Sequence, residues 1–183
     1  METVERLIRS TQELLWERGY VGTSPKAVQR ASGAGQGSMY HHFSGKAELA
    51  RAAIERSGAE MRAKAAEELG TEGSAVERIS AYLGRDREVL RGCPVGQLAA
   101  DPEVVADPEL RGPVDETLSW LCGRLAEIVA EGKENGEFPA SVAPERLAAT
   151  IVATLQGGYV LARAAGSEEP FELAIEGLLE LIA

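Results

Sequence analysis

The stretch from Gly33 to Lys46, GAGQGSMYHHFSGK, constrains the fold more than any other part of this chain. Gly33, Gly35 and Gly37 crowd its start, and glycine permits both positive φ and close approach to another backbone. Ser38, Tyr40, His41 and His42 follow in quick succession, and each carries a hydrogen-bond donor. Upstream, Pro25–Ser32 (PKAVQRAS) reads as a short helix with proline in its first turn, where the absent N–H costs nothing. The unit is therefore helix, glycine turn, helix. That is the helix-turn-helix layout, whose second helix enters the DNA major groove with its N-terminal end leading.

The flanks read as helical throughout. Val4, Leu7, Ile8, Thr11, Leu14 and Leu15 recur at helical spacing, which predicts an amphipathic helix over Thr3–Arg18. Gly19 stops it, and Thr23 or Ser24 caps the next helix. A recognition helix is expected over Gln36–Phe43, followed by a long helix from Lys46 to about Glu67. Beyond a polar, glycine-rich break at 70–73, Ser74 is placed to cap a helix reaching about Arg91. A short helix or turn is expected over Val95–Ala100, then a proline-punctuated acidic segment through Pro108. Longer helices are predicted from Pro113 to Asn135, from Pro144, and from Pro170 to Ile182. The expected architecture is all-α with about nine helices. A three-helix head over residues 1–53 carries a larger helical body over 54–183.

Charge is divided unevenly along the chain. Through Arg56 there are 8 Lys/Arg against 6 Asp/Glu; beyond it, 11 against 23, which gives the net charge of −10. A slightly basic head on an acidic body orients a protein on a polyanion, with modest non-specific affinity. No apolar run approaches the roughly 20 residues of a membrane span. The N-terminus, METVERLIRS, lacks a secretory core. Two cysteines, Cys93 and Cys122, are too few for a disulfide framework, so a reducing cytoplasm is the expected setting and ordinary buried thiols the expected role. His41 and His42 are the only histidines and both lie in the recognition helix. No His-centred triad or metal cluster can therefore form in the body, and no enzyme, metal or cofactor is expected.

The residues from Val4 to Ala53 resemble the TetR-type transcriptional repressors. Thr23, Val28, Ala31, Gly33, Gly37, Met39, Tyr40, His42, Phe43 and Lys46 fall on that family's pattern in register. Two positions depart from it. Ala34-Gly35 stands where the family has Val-Ser, and Gln36 where it often has a cation. Glycine caps a helix somewhat less well than serine. Later segments, GCPVGQLAAD from Gly92 and GGYVLARA from Gly157, are similar to a drug- or metabolite-responsive branch.

The resemblance implies a homodimer that binds a palindromic double-stranded DNA operator and responds to a small-molecule effector. Gln36 and Ser38 are the candidates for base edges, with Gly35 and Gly37 allowing close approach. Thr23, Ser24, Tyr40, His41 and Lys46 are candidates for phosphate contacts, which position without specifying. Val28, Ala31, Met39 and Phe43 are the expected core of the head. In the body, Cys93, Gln97, Trp120, Leu121 and Tyr159 are the candidate lining of an effector pocket, suited to an apolar or aromatic molecule. Gly157, Gly158 and Ala162, with Leu155, Leu178 and Ile182, are the expected dimer seam. The rival reading is an all-α ligand-binding or adaptor protein that does not touch DNA.

Overall fold

The computed structural model describes residues 2–182. Among them there are nine α-helices, two 3-10 turns and no strand. The helices are α1 Thr3–Arg18, α2 Pro25–Ser32, α3 Gln36–His42, α4 Lys46–Leu69, α5 Ala75–Gly84, α6 Pro102–Ala106, α7 Pro108–Glu134, α8 Pro144–Ala165 and α9 Glu169–Ile182. Their number is the expected one, but three boundaries in the body differ from the sequence reading.

Helix α5 stops at Gly84 instead of running to Arg91. The guanidinium of Arg87 folds back and donates to the carbonyl oxygens of Tyr82 and Leu83, which are left open at the helix end. A 3-10 turn, Val89–Arg91, follows. The proline-punctuated segment, to which the sequence reading assigned no helix, contains α6, because Asp101 caps it and Pro102 occupies its first turn. Helix α7 begins at Pro108, not Pro113, since the Asp107 carboxylate accepts the Glu109 N–H at 2.9 Å and starts the helix one turn earlier. Pro113 is thus inside α7.

The chain forms two compact units. One comprises residues 2–60 and Cys93–Thr117; the other comprises Met61–Gly92 and 118–182. The expected head, 1–53, falls within the first unit, whereas the expected body is divided between the two.

In the first unit, Leu7, Leu14, Ala27, Val28, Ala34, Met39, Phe43 and Leu49 form a core, with Val4, Ile8 and Ala52 packed on it. Ala31, expected there, is exposed, and Ala34 takes part instead. Glu5 and Arg56 pair through both carboxylate oxygens at 3.1 and 3.2 Å, tying α4 to α1. In the second unit, α8 packs along α9. A Cβ on Gly158 would come within 2.9 Å of the Phe171 ring, so this crossing needs glycine.

Leu155, Leu178, Ile182 and Ala162 are buried within the single chain. The sequence reading expected them at a dimer seam, but they are packed in the core of the second unit. The exposed apolar residues of the pair are Val160, Leu161, Leu173 and Leu181. With both faces apolar, α8 is long and apolar enough, by composition alone, to cross a membrane. One of those faces is already packed on α9.

Candidate nucleic-acid interface

The interface is built by the corner between α2 and α3. Ser24 caps α2, its hydroxyl accepting the Ala27 N–H, and Pro25 sits at the first position. The helix ends at Gly33, whose φ of 66° is the left-handed conformation that reverses the chain. The Ser32 hydroxyl accepts the Ala34 N–H at 3.2 Å and fixes the turn. Gly35 then starts α3 with no side-chain cap.

Helix α3 is one-sided. Met39 and Phe43, one turn apart, point into the head core. Gln36, Gly37, Tyr40, His41 and His42 face outward, with Tyr40 48% exposed, and Ser38 is half-buried. Tyr40 is therefore not covered by the next helix. The rings of His41 and His42 meet edge to face at 4.9 Å.

A Cβ built on Gly35 or on Gly37 meets no atom within 4 Å, and neither residue has positive φ. The fold itself does not require glycine at either position. In the interior of a helix glycine costs about 1 kcal/mol relative to alanine. A requirement for a bare backbone at Gly37 must come from outside the chain.

The remaining sequence-derived DNA candidates divide into two groups. Ser24 is exposed, but its hydroxyl is engaged as the α2 cap. Thr23 is buried at 3% exposure and its hydroxyl donates to the Gly19 carbonyl oxygen at 2.7 Å, so this side chain braces the α1–α2 corner instead of presenting itself to phosphate. Lys46, at the start of α4, lies with its ammonium 3.8 Å above the Tyr20 ring. The Tyr20 phenol is held above its usual value by burial and by the carboxylates of Glu103, Asp107 and Asp101, so the ring stays neutral under the cation.

Sequence patterning did not single out Lys26 and Arg30. Both are exposed on α2 and, with Gln29, line an open depression beside the corner. The whole of the head's basic excess over its acidic residues could have been traced to this helix, which carries two cations and no acid.

The five effector candidates do not form one cluster within a unit. Cys93 and Gln97 belong to the first unit; Trp120, Leu121 and Tyr159 belong to the second. The Gln97 amide donates to the Trp16 carbonyl oxygen at 2.6 Å, an acceptor left open at the end of α1. Cys93 is buried, and its sulfur accepts the Gly96 N–H. Tyr159 is buried against Phe171, with ring centres 5.0 Å apart. Trp120 is half-buried and Leu121 buried on α7. Burial pushes the Cys122 thiol up, which disfavours its reactive thiolate.

A short outward-facing helix held on its partner by two apolar side chains, with uncovered glycine at its leading end and cations beside it, defines a helix-turn-helix DNA-binding protein. The comparisons with known proteins narrow this class. Residues 7–53 match the model for bacterial regulatory proteins of the tetR family, and residues 73–178 match the tetracyclin repressor-like C-terminal domain. The chain belongs to the TetR family of DNA-binding transcriptional regulators.

Among its relatives, the repressor NemR of Escherichia coli K12 is 25% identical, covering 100% of this chain and 94% of NemR. The reduced form of E. coli NemR matches with a TM-score of 0.86 at 26% identity, over 97% of this chain and 95% of that one. A TetR regulator from Chloroflexus aurantiacus reaches a TM-score of 0.88 at 29% identity, over 98% and 93% of the two chains. A cysteine variant of CifR, solved with 26-base-pair operator DNA, shares the fold at 24% identity and a TM-score of 0.81, over 96% and 94%.

Proposed function

We propose that this regulator is a homodimeric repressor of a palindromic operator, released by a small apolar or aromatic ligand. The observation that carries the DNA reading is the outward face of α3. Gln36 and Ser38 are assigned to base edges and Gly37 to close approach. Tyr40, His41 and Lys46 are assigned to phosphates, together with Lys26 and Arg30. Residues 1–53 serve as the DNA-binding domain and 54–183 as the ligand-binding and dimerisation domain. The NemR and CifR names supply the repressor and operator precedents for those proteins.

Support for the dimer comes from α8 and α9. Gly157, Val160, Leu161 and Ala164 recur at 3–4 residue spacing on α8, and Leu173, Gly177 and Leu181 on α9; the four large ones are exposed. Two such stripes related by a two-fold axis make a four-helix bundle with close backbone approach. A C2 dimer carries two heads, so its DNA site is an inverted repeat.

Selection of bound duplexes from a random pool tests the reading. The expected result is an inverted repeat, with Gln36→Ala relaxing preference at one position per half-site by about 1–3 kcal/mol. Enrichment of no sequence, or of a single asymmetric half-site, is the result that would overturn it.

A further inference from the structure

The corner after α1 is completed from far away in the chain. Asp101 is 9% exposed. Its Oδ2 accepts the backbone N–H of Tyr20 at 2.7 Å and of Val21 at 2.9 Å. Its Oδ1 accepts the N–H of Glu103 at 3.1 Å and of Val104 at 3.4 Å. One carboxylate therefore caps α6 and also holds the link between α1 and α2. Gln97, four residues earlier, supplies the donor for the Trp16 carbonyl in the last turn of α1. Gly19, with φ of 69°, brings the backbone so close that a Cβ there would lie 2.9 Å from Asp101 Oδ2.

The residue held by this carboxylate is the one whose ring seats Lys46. Tyr20 is buried at 7% exposure and its ring lies 3.8 Å below the Lys46 ammonium. A lysine on a flexible four-carbon stem has many rotamers, and a fixed aromatic face selects among them. We infer that Asp101 is a positioning residue for DNA binding, its carboxylate fixing the α1–α2 corner so that Tyr20 seats Lys46 at the start of α4. The inference rests on the assignment of Lys46 to a phosphate.

The experiment separates this role from plain stabilisation. Serine is a good N-cap, so Asp101→Ser keeps an acceptor for α6 while removing the second oxygen that holds Tyr20 and Val21. Asp101→Asn is a second variant in case Asp101→Ser folds poorly. Without DNA, amide exchange at Tyr20 and Val21 should speed up by about tenfold or more, as expected for losing a hydrogen bond to a charged acceptor. The ring-current shift of the Lys46 ε-methylene protons should collapse. With the selected operator, well below the melting temperature, the salt slope of binding should fall by about 1 per head, as for Lys46→Ala. The double variant should show no further fall.

An additive loss in the double variant, or a lower melting temperature with an unchanged slope and an unchanged Lys46 shift, overturns the inference. If Lys46→Ala itself leaves the slope unchanged, the phosphate assignment fails and with it the DNA role of Asp101. Loss of the Lys46 shift in Asp101→Ser would then report the seat alone.

Discussion

At the scale of single residues, Gly37 separates folding from function most cleanly. A methyl group there meets nothing in the chain, and alanine is the better helix former by about 1 kcal/mol. Gly37→Ala should therefore raise thermal stability by about 0.5–1 kcal/mol and at the same time weaken operator binding. Unfolding and DNA titration on the same sample check both; stabilisation with unchanged affinity would mean that no base or backbone approaches this position. The outward set of α3 was legible because only Met39 and Phe43 can point inward at i, i+4 spacing from a short polar helix. The exchange of Ala31 for Ala34 in the core was not. Periodicity counts along a straight helix, and the reversal at Gly33 brings Ala34 back into the cluster. Thr23 was equally hidden: a threonine before a helix reads as a cap, and only the structure places its hydroxyl on Gly19 and gives the cap to Ser24.

At the scale of elements, the misread boundaries share a cause. Proline and glycine mark where a helix can start or stop, but a capping side chain a few residues away decides which mark is used, as Arg87 does for α5 and Asp107 for α7. The same distinction governs the helices proposed to form the dimer. Leu155 and Leu178 lie on the apolar faces predicted from spacing, yet those faces are consumed within the chain. Leu161→Glu combined with Leu173→Glu should leave the subunit folded, since exposed positions typically change stability within about 0.5 kcal/mol, while sedimentation shows monomer. Leu178→Glu should instead unfold the second unit, costing at least the about 2–5 kcal/mol of a large-to-small core change. A dimer that survives the double substitution would place the interface elsewhere.

Caps bring pH into play at the same scale. Glu77 completes a capping box with Ser74, and the hydrogen bond from the Ser74 N–H holds its carboxyl below the usual 4.5. A depressed carboxylate contributes stability that is present above its unfolded value and is lost as pH falls through the folded one. The melting temperature of Glu77→Gln should accordingly converge on that of the parent as the pH is lowered below about 4. A constant difference between the two across that range would remove the ionised cap from the account.

At the scale of the whole molecule, the sequence shows an uneven charge, with a slight positive excess through Arg56 and 23 acidic residues against 11 basic beyond it. It did not reveal how the chain shares segments between units. The 3-10 turn Val89–Arg91 packs on α8 in the second unit, and two residues later the chain joins the first unit, where Gln97 and Asp101 complete the end of α1. Helix α4 also belongs to both units, up to residue 60 and from Met61. Covalent continuity thus joins the units at three places, within α4, between Gly92 and Cys93, and within α7, and a ligand bound in the second unit would have these three routes to the head. A ligand shifts an equilibrium only by its differential affinity for the two states. Coupling between sites of about 1–3 kcal/mol would change operator affinity by roughly 5- to 150-fold. Linkage requires the operator to weaken the same ligand by the same factor. A thermal-shift screen with small apolar aromatic compounds, followed by titrations of each hit with and without saturating operator, measures both sides. Trp120→Ala, at a half-buried position on α7, should reduce affinity for such hits at little cost to the fold. Hits that bind equally well in the presence and absence of operator would exclude an apolar effector acting by release, and hits indifferent to Trp120→Ala would move its pocket away from α7.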